Sequence, residues 1–86
     1  MDRKDIETRL SLYIRRELLH RPDYPLTPDE PLITGGLIDS HSLVRIAVFA
    51  EDELGVMVPD TEFTVEKMDT LRLMVDRIMA EAGRNR

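Results

Sequence analysis

Three consecutive residues, Asp39, Ser40 and His41, supply an acid, a hydroxyl and an imidazole, and a second hydroxyl follows at Ser42. In a serine hydrolase such groups work through space: the serine sits on a strained elbow, a positioned base takes its proton, and oxyanion donors face the reacting carbon. Here the flanking glycines of such an elbow are absent around Ser40, and His41 is a chain neighbour that points away along a helix. Metal chemistry fares no better. His20 and His41 are the only histidines, cysteine is absent, and no cluster has zinc or EF-hand spacing. No catalytic or metal-binding residue is assigned, and the chain is not expected to be an enzyme. With 86 residues it builds one domain with a modest core and no deep cleft.

Ser40 stands before an amphipathic run, so one role for it is a helix cap, and Asp39 can fill that role equally well. The other role is an exposed hydroxyl at a helix start, where the helix dipole would favour a phosphate ester. A Gly-Gly pair and a proline-rich approach deliver the serine to that position.

The elements that must position it are helical. Ile6, Leu10, Ile14 and Leu18 recur every four residues, predicting a first helix from Asp2 to Leu19 with Asp2 as its N-cap. From His20 to Asp39 the prolines Pro22, Pro25, Pro28 and Pro31 predict a long ordered loop, with Leu26, Leu32, Ile33, Leu37 and Ile38 as its apolar anchors. A second helix is expected from about Ser40 to Leu54. Leu43, Ile46, Ala47, Ala50 and Leu54 form its inner stripe, Gly55 is its left-handed stop, and Phe49 and Phe63 help to enclose the core. Thr64 caps a short turn through about Met68, and Asp69 or Thr70 starts a last helix carrying Leu71, Met74, Val75, Ile78 and Ala82. The expectation is an all-α bundle of three main helices plus one short one, a single domain over residues 1–86 with an ordered core of about 2–82 and a tail of 83–86.

The 17 acids and 12 bases give a formal charge of -5, which repels a nucleic-acid backbone and favours basic protein partners. No apolar run is long enough to insert in a membrane, and "MDRKDIETRL" is too charged for a signal peptide, so a cytoplasmic location is expected.

Three stretches, "GGLIDSHSL", "EDELGVMVPD" and "DTLRLMVDRI", together resemble the phosphopantetheine-carrying acyl, aminoacyl and peptidyl carrier proteins, over nearly the whole chain to about Ile78. The resemblance implies an acyl-carrier-like bundle in which Ser40 receives 4'-phosphopantetheine from coenzyme A through a separate, Mg-dependent phosphopantetheinyl transferase. Asp39 matches the motif acid that orients the serine region. The arm's thiol would carry an acyl or aminoacyl group as a thioester, which accounts for a carrier without cysteine. An adenylating ligase would load the cargo and downstream acyl-transfer enzymes would take it. The second helix would be the docking surface, with His41, Val44, Arg45, Val48 and Glu51 on its outer side. His41, Ser42 and Arg45 depart from the pattern of fatty-acid carriers, and "GLIDS" with "PDTEFTVEKMDT" looks closer to discrete carriers of amino acids or secondary metabolites. A carrier of fatty-acid or polyketide synthesis is the alternative, and an unmodified helical adaptor of the same fold is a second.

Overall fold

The computed structural model describes residues 2–84, and among these every regular element is helical. The first helix, α1 (Arg3–Tyr13), begins where the Asp2 carboxylate accepts the Asp5 amide at 2.9 Å, satisfying a donor with no partner inside the helix. Its four-residue apolar spacing buries Ile6, Leu10 and Ile14 completely or nearly so. The helix reaches Leu18, one residue short of the expected Leu19, which is its C-cap, and does so not as a regular α-helix. From Ile14 to Leu18 it widens into a π-helical turn, with the Leu19 amide bonded to the Ile14 carbonyl at 2.9 Å. His20, at φ 55°, ends the turn. Arg15 then ties the chain back: Nε donates to the Ser11 carbonyl and hydroxyl, and Nη1 donates to the Pro22 carbonyl at 2.7 Å.

The proline-rich loop of residues 19–41 is held by both apolar and polar anchors. Leu32 and Ile38 are buried, while Leu26, Ile33 and Leu37 pack against the same core from partly buried positions. Arg72 donates its amide to the Pro28 carbonyl and grips the Asp29 carboxylate with Nε at 2.7 Å and Nη2 at 2.9 Å.

The second helix, α2 (Ser42–Glu53), starts later than Ser40 because the bonds across residues 39–44 span three residues rather than four. It buries Leu43, Ile46, Phe49 and Ala50, and Gly55 supplies the left-handed stop at φ 68°. Its inner face departs from expectation at Ala47 alone, since Phe49 is expected to help enclose the core. Phe49 is in the core, its ring stacked on Tyr13 at 4.5 Å, whereas Ala47 is only half-buried.

Val56 and Val58 return to the core, and a 3-10 turn at Asp60–Glu62 leads to α3 (Val65–Met68), where the Thr64 hydroxyl accepts the Lys67 amide. The last helix, α4 (Leu71–Arg84), starts with the Thr70 hydroxyl accepting the Leu73 amide at 3.1 Å. Leu71, Met74, Val75 and Ile78 are its buried face, laid against α1 and stapled to it by Arg3 and Asp76 at 2.6 Å. Of the tail expected over 83–86, Gly83 and Arg84 belong instead to the last helix. Gly83 does not adopt the left-handed conformation of a stop, so α4 runs through it to Arg84; Asn85 and Arg86 lie outside the described residues. Among the described residues no helix is long and apolar enough to cross a membrane.

Candidate functional site

Two glycines shape the approach to Ser40 for different reasons. A Cβ on Gly35 would lie 2.2 Å from the Pro31 carbonyl oxygen, so only glycine fits there. Gly36 sits at φ 82°, a conformation that side-chain-bearing residues adopt at a cost. The turn closes through Gly36 N–H to the Ile33 carbonyl at 3.1 Å, and Leu37 and Ile38 both donate to the Leu32 carbonyl. Because Leu32 and Ile38 are buried, the chain leaves the core at Ile38 and exposes Asp39, Ser40 and His41 in sequence.

Asp39 is the cap. Its Oδ1 accepts the Ser42 amide at 3.1 Å and the Ser42 hydroxyl at 3.4 Å, and its carbonyl also accepts the Ser42 amide. Ser40 takes part only through its backbone, the carbonyl accepting from Leu43 at 3.2 Å. Its hydroxyl is exposed and makes no hydrogen bond among the described residues. The fold therefore makes no use of the Ser40 side chain.

Ser40 lines an open pocket of about 310 Å³ together with Leu43, Val44, Ala47, Asp60 and Phe63. Ala47, half-buried, is thus a pocket wall rather than a core residue. Farther along α2, Val48 borders a second groove of about 350 Å³ with Tyr13, Phe49, Glu17, Asp52 and Glu53. Val44 and Val48 are the exposed apolar pair of this helix, at 66% and 51% of full exposure. His41, Arg45 and Glu51 are exposed beside them. The five outer residues expected from sequence thus share the solvent-facing side of α2 and its first turn. Arg45 is also anchored: Nη1 donates to the Glu17 carbonyl at 3.3 Å, while the Tyr13 hydroxyl donates to the Arg45 carbonyl. Neither Arg45 nor the acids Glu51, Asp52 and Glu53 has an ion-pair partner among the described residues.

Sequence reasoning missed what holds the serine loop down. The Asp69 carboxylate, expected at most to start α4, instead accepts from Ile33 and Thr34 across the molecule. No local pattern announces a pair separated by 35 positions. Among the described residues no group of three or more His, Asp or Glu side chains is arranged to hold a metal.

No family model matches the chain, and no curated protein matches it.

Proposed function

We propose that the chain is a carrier protein that holds an acyl or aminoacyl group as a thioester on a 4'-phosphopantetheine arm attached at Ser40. One observation carries this reading: Asp39 does the capping at the start of α2, leaving an exposed Ser40 hydroxyl that the fold does not use. The site fits the group. A hydroxyl free of competing hydrogen bonds can approach a phosphorus atom, and the surrounding surface is open enough for a transferase to enclose it.

In the modification step, Ser40 Oγ attacks the pantetheine-bearing phosphorus of coenzyme A. The bond from that phosphorus to the bridging oxygen breaks, adenosine 3',5'-bisphosphate leaves, and the hydroxyl proton passes to a base of the phosphopantetheinyl transferase. When attached, the arm supplies a thiol that the cysteine-free chain lacks. The chain's own residues then present and orient. Asp39 fixes the first turn through Ser42, and the Gly35-Gly36 turn sets the direction from which Ser40 emerges. Val44 and Val48 offer partner enzymes an apolar contact beside the serine, with His41 and Arg45 at one end of α2 and Glu51 towards the other. Arg45 on this face supports a specialised carrier, loaded by an adenylating ligase, over a fatty-acid carrier.

The exposed valine pair also favours a second reading, an adaptor that binds partners through α2 without any prosthetic group. Ser40→Ala separates the two. The carrier reading predicts that this variant is neither modified by a transferase nor loaded by a ligase, while Val44→Asp is modified poorly through weakened docking. Partner function that survives Ser40→Ala and fails in Val44→Asp identifies the adaptor.

A further inference from the structure

We propose that Asp69 is a positioning residue for Ser40, setting from the α3–α4 junction the loop that presents the serine to its modifying enzyme; this rests on the carrier reading above. Asp69 Oδ1 accepts the amides of Ile33 at 2.8 Å and Thr34 at 2.9 Å, and Oδ2 accepts the Thr34 hydroxyl at 2.6 Å. Its main-chain carbonyl accepts the Leu32 amide at 2.7 Å. Three consecutive loop residues are thereby fixed to one remote residue. The connection continues, because the Leu32 carbonyl accepts from both Leu37 and Ile38, and Ile38 directly precedes the Asp39–Ser40 pair.

Nothing local claims the carboxylate. α4 is capped by Thr70 and α3 by Thr64, so the acceptor capacity of Asp69 is directed to the serine loop alone. The loop needs such a hold, since Thr34, Gly35 and Gly36 are all exposed and Gly36 brings extra backbone freedom. The Thr34 hydroxyl, followed by the two amides, keeps the Asp69 carboxyl below the ordinary aspartate range. Arg72 grips the same loop nearer its start, at Pro28 and Asp29, and gives a natural control.

The test measures initial rates of phosphopantetheine transfer from coenzyme A by a promiscuous transferase with Mg2+, on the wild-type chain and on Asp69→Asn, Asp69→Ala and Arg72→Gln. Misplacing a reacting group costs rate even when binding survives, so Asp69→Ala should lower kcat by about tenfold or more with KM for the carrier within about twofold. Asp69→Asn, which keeps an acceptor for the amides, should fall between Asp69→Ala and wild type, and Arg72→Gln should stay near wild type. Circular dichroism checks the helix content, and amide exchange should show faster exchange at Ile33 and Thr34 in both Asp69 variants. Wild-type kcat in a folded Asp69→Ala, or an equal kcat loss in Arg72→Gln, overturns the positioning role. An unmodified wild-type chain overturns the carrier reading itself, and is distinguishable because the amide-exchange result does not depend on modification.

Discussion

The Asp39 carboxylate and the Ser42 amide meet at 3.1 Å across Ser40 and His41, so the residue that caps the turn into α2 lies immediately before the residue whose side chain is left unused. The two side chains should therefore separate in their effect on stability. Removing an N-cap costs about 1 kcal/mol, whereas an exposed side chain without partners costs within about 0.5 kcal/mol of nothing. Urea titration of Asp39→Ala and Ser40→Ala should show this order; a comparable loss in Ser40→Ala would mean that its hydroxyl serves the fold.

Gly35 should tolerate no side chain. Its absent Cβ would sit 2.2 Å from the Pro31 carbonyl oxygen, and a backbone atom cannot swing aside as a flexible side chain can. Gly35→Ala is expected to shift the amide resonances of residues 32–40 and to slow modification of Ser40. An unchanged spectrum would show that the Pro31 contact is not close.

The outer face of α2 should be separable from the core. Val44→Asp and Arg45→Glu change exposed residues, so helix content and unfolding midpoint should stay near wild type while loading by a cognate adenylating ligase slows. Ile46→Asp or Leu71→Asp should unfold the chain, since an unpaired charge in this core opposes a total stability of only about 5–15 kcal/mol. Unchanged loading in both surface variants would remove α2 as the docking surface.

Acid should loosen the serine loop in a defined direction. The Asp69 carboxyl is lowered by its bonds to Thr34 and Ile33, and Asp29 is lowered by the Arg72 guanidinium. A folded-state value below the unfolded one means that stabilisation is full above the ordinary aspartate value and is lost as pH falls through the depressed one. Between neutral pH and about 5 the unfolding free energy should hold nearly level on account of these two groups, then decline below about 4. In Asp69→Asn the acid-side decline should be shallower; an identical profile would show that Asp69 does not contribute to it.

Much of this architecture was legible in the sequence because it depends on local spacing. The apolar repeat of α1, the Asp2 and Thr64 caps and the Gly55 stop each follow from residues within one or two turns. So did the exposure of Val44 and Val48, which lie off the inner stripe of α2. The cap at α2 was ambiguous for a physical reason: Asp39 and Ser40 are both good acceptors, and only the three-residue bonds across the turn select Asp39. What periodicity could not supply were long-range pairings. The ring stack of Tyr13 on Phe49, and the amides of Ile33 and Thr34 donating to Asp69, join segments that no helical repeat connects.

The most direct test of the central claim is the intact mass of the wild-type chain and of Ser40→Ala, each co-expressed with a promiscuous phosphopantetheinyl transferase. The wild-type chain should gain the mass of one 4'-phosphopantetheine and Ser40→Ala should gain none. A wild-type chain that stays unmodified with several transferases, or an addition that persists in Ser40→Ala, would contradict attachment at Ser40.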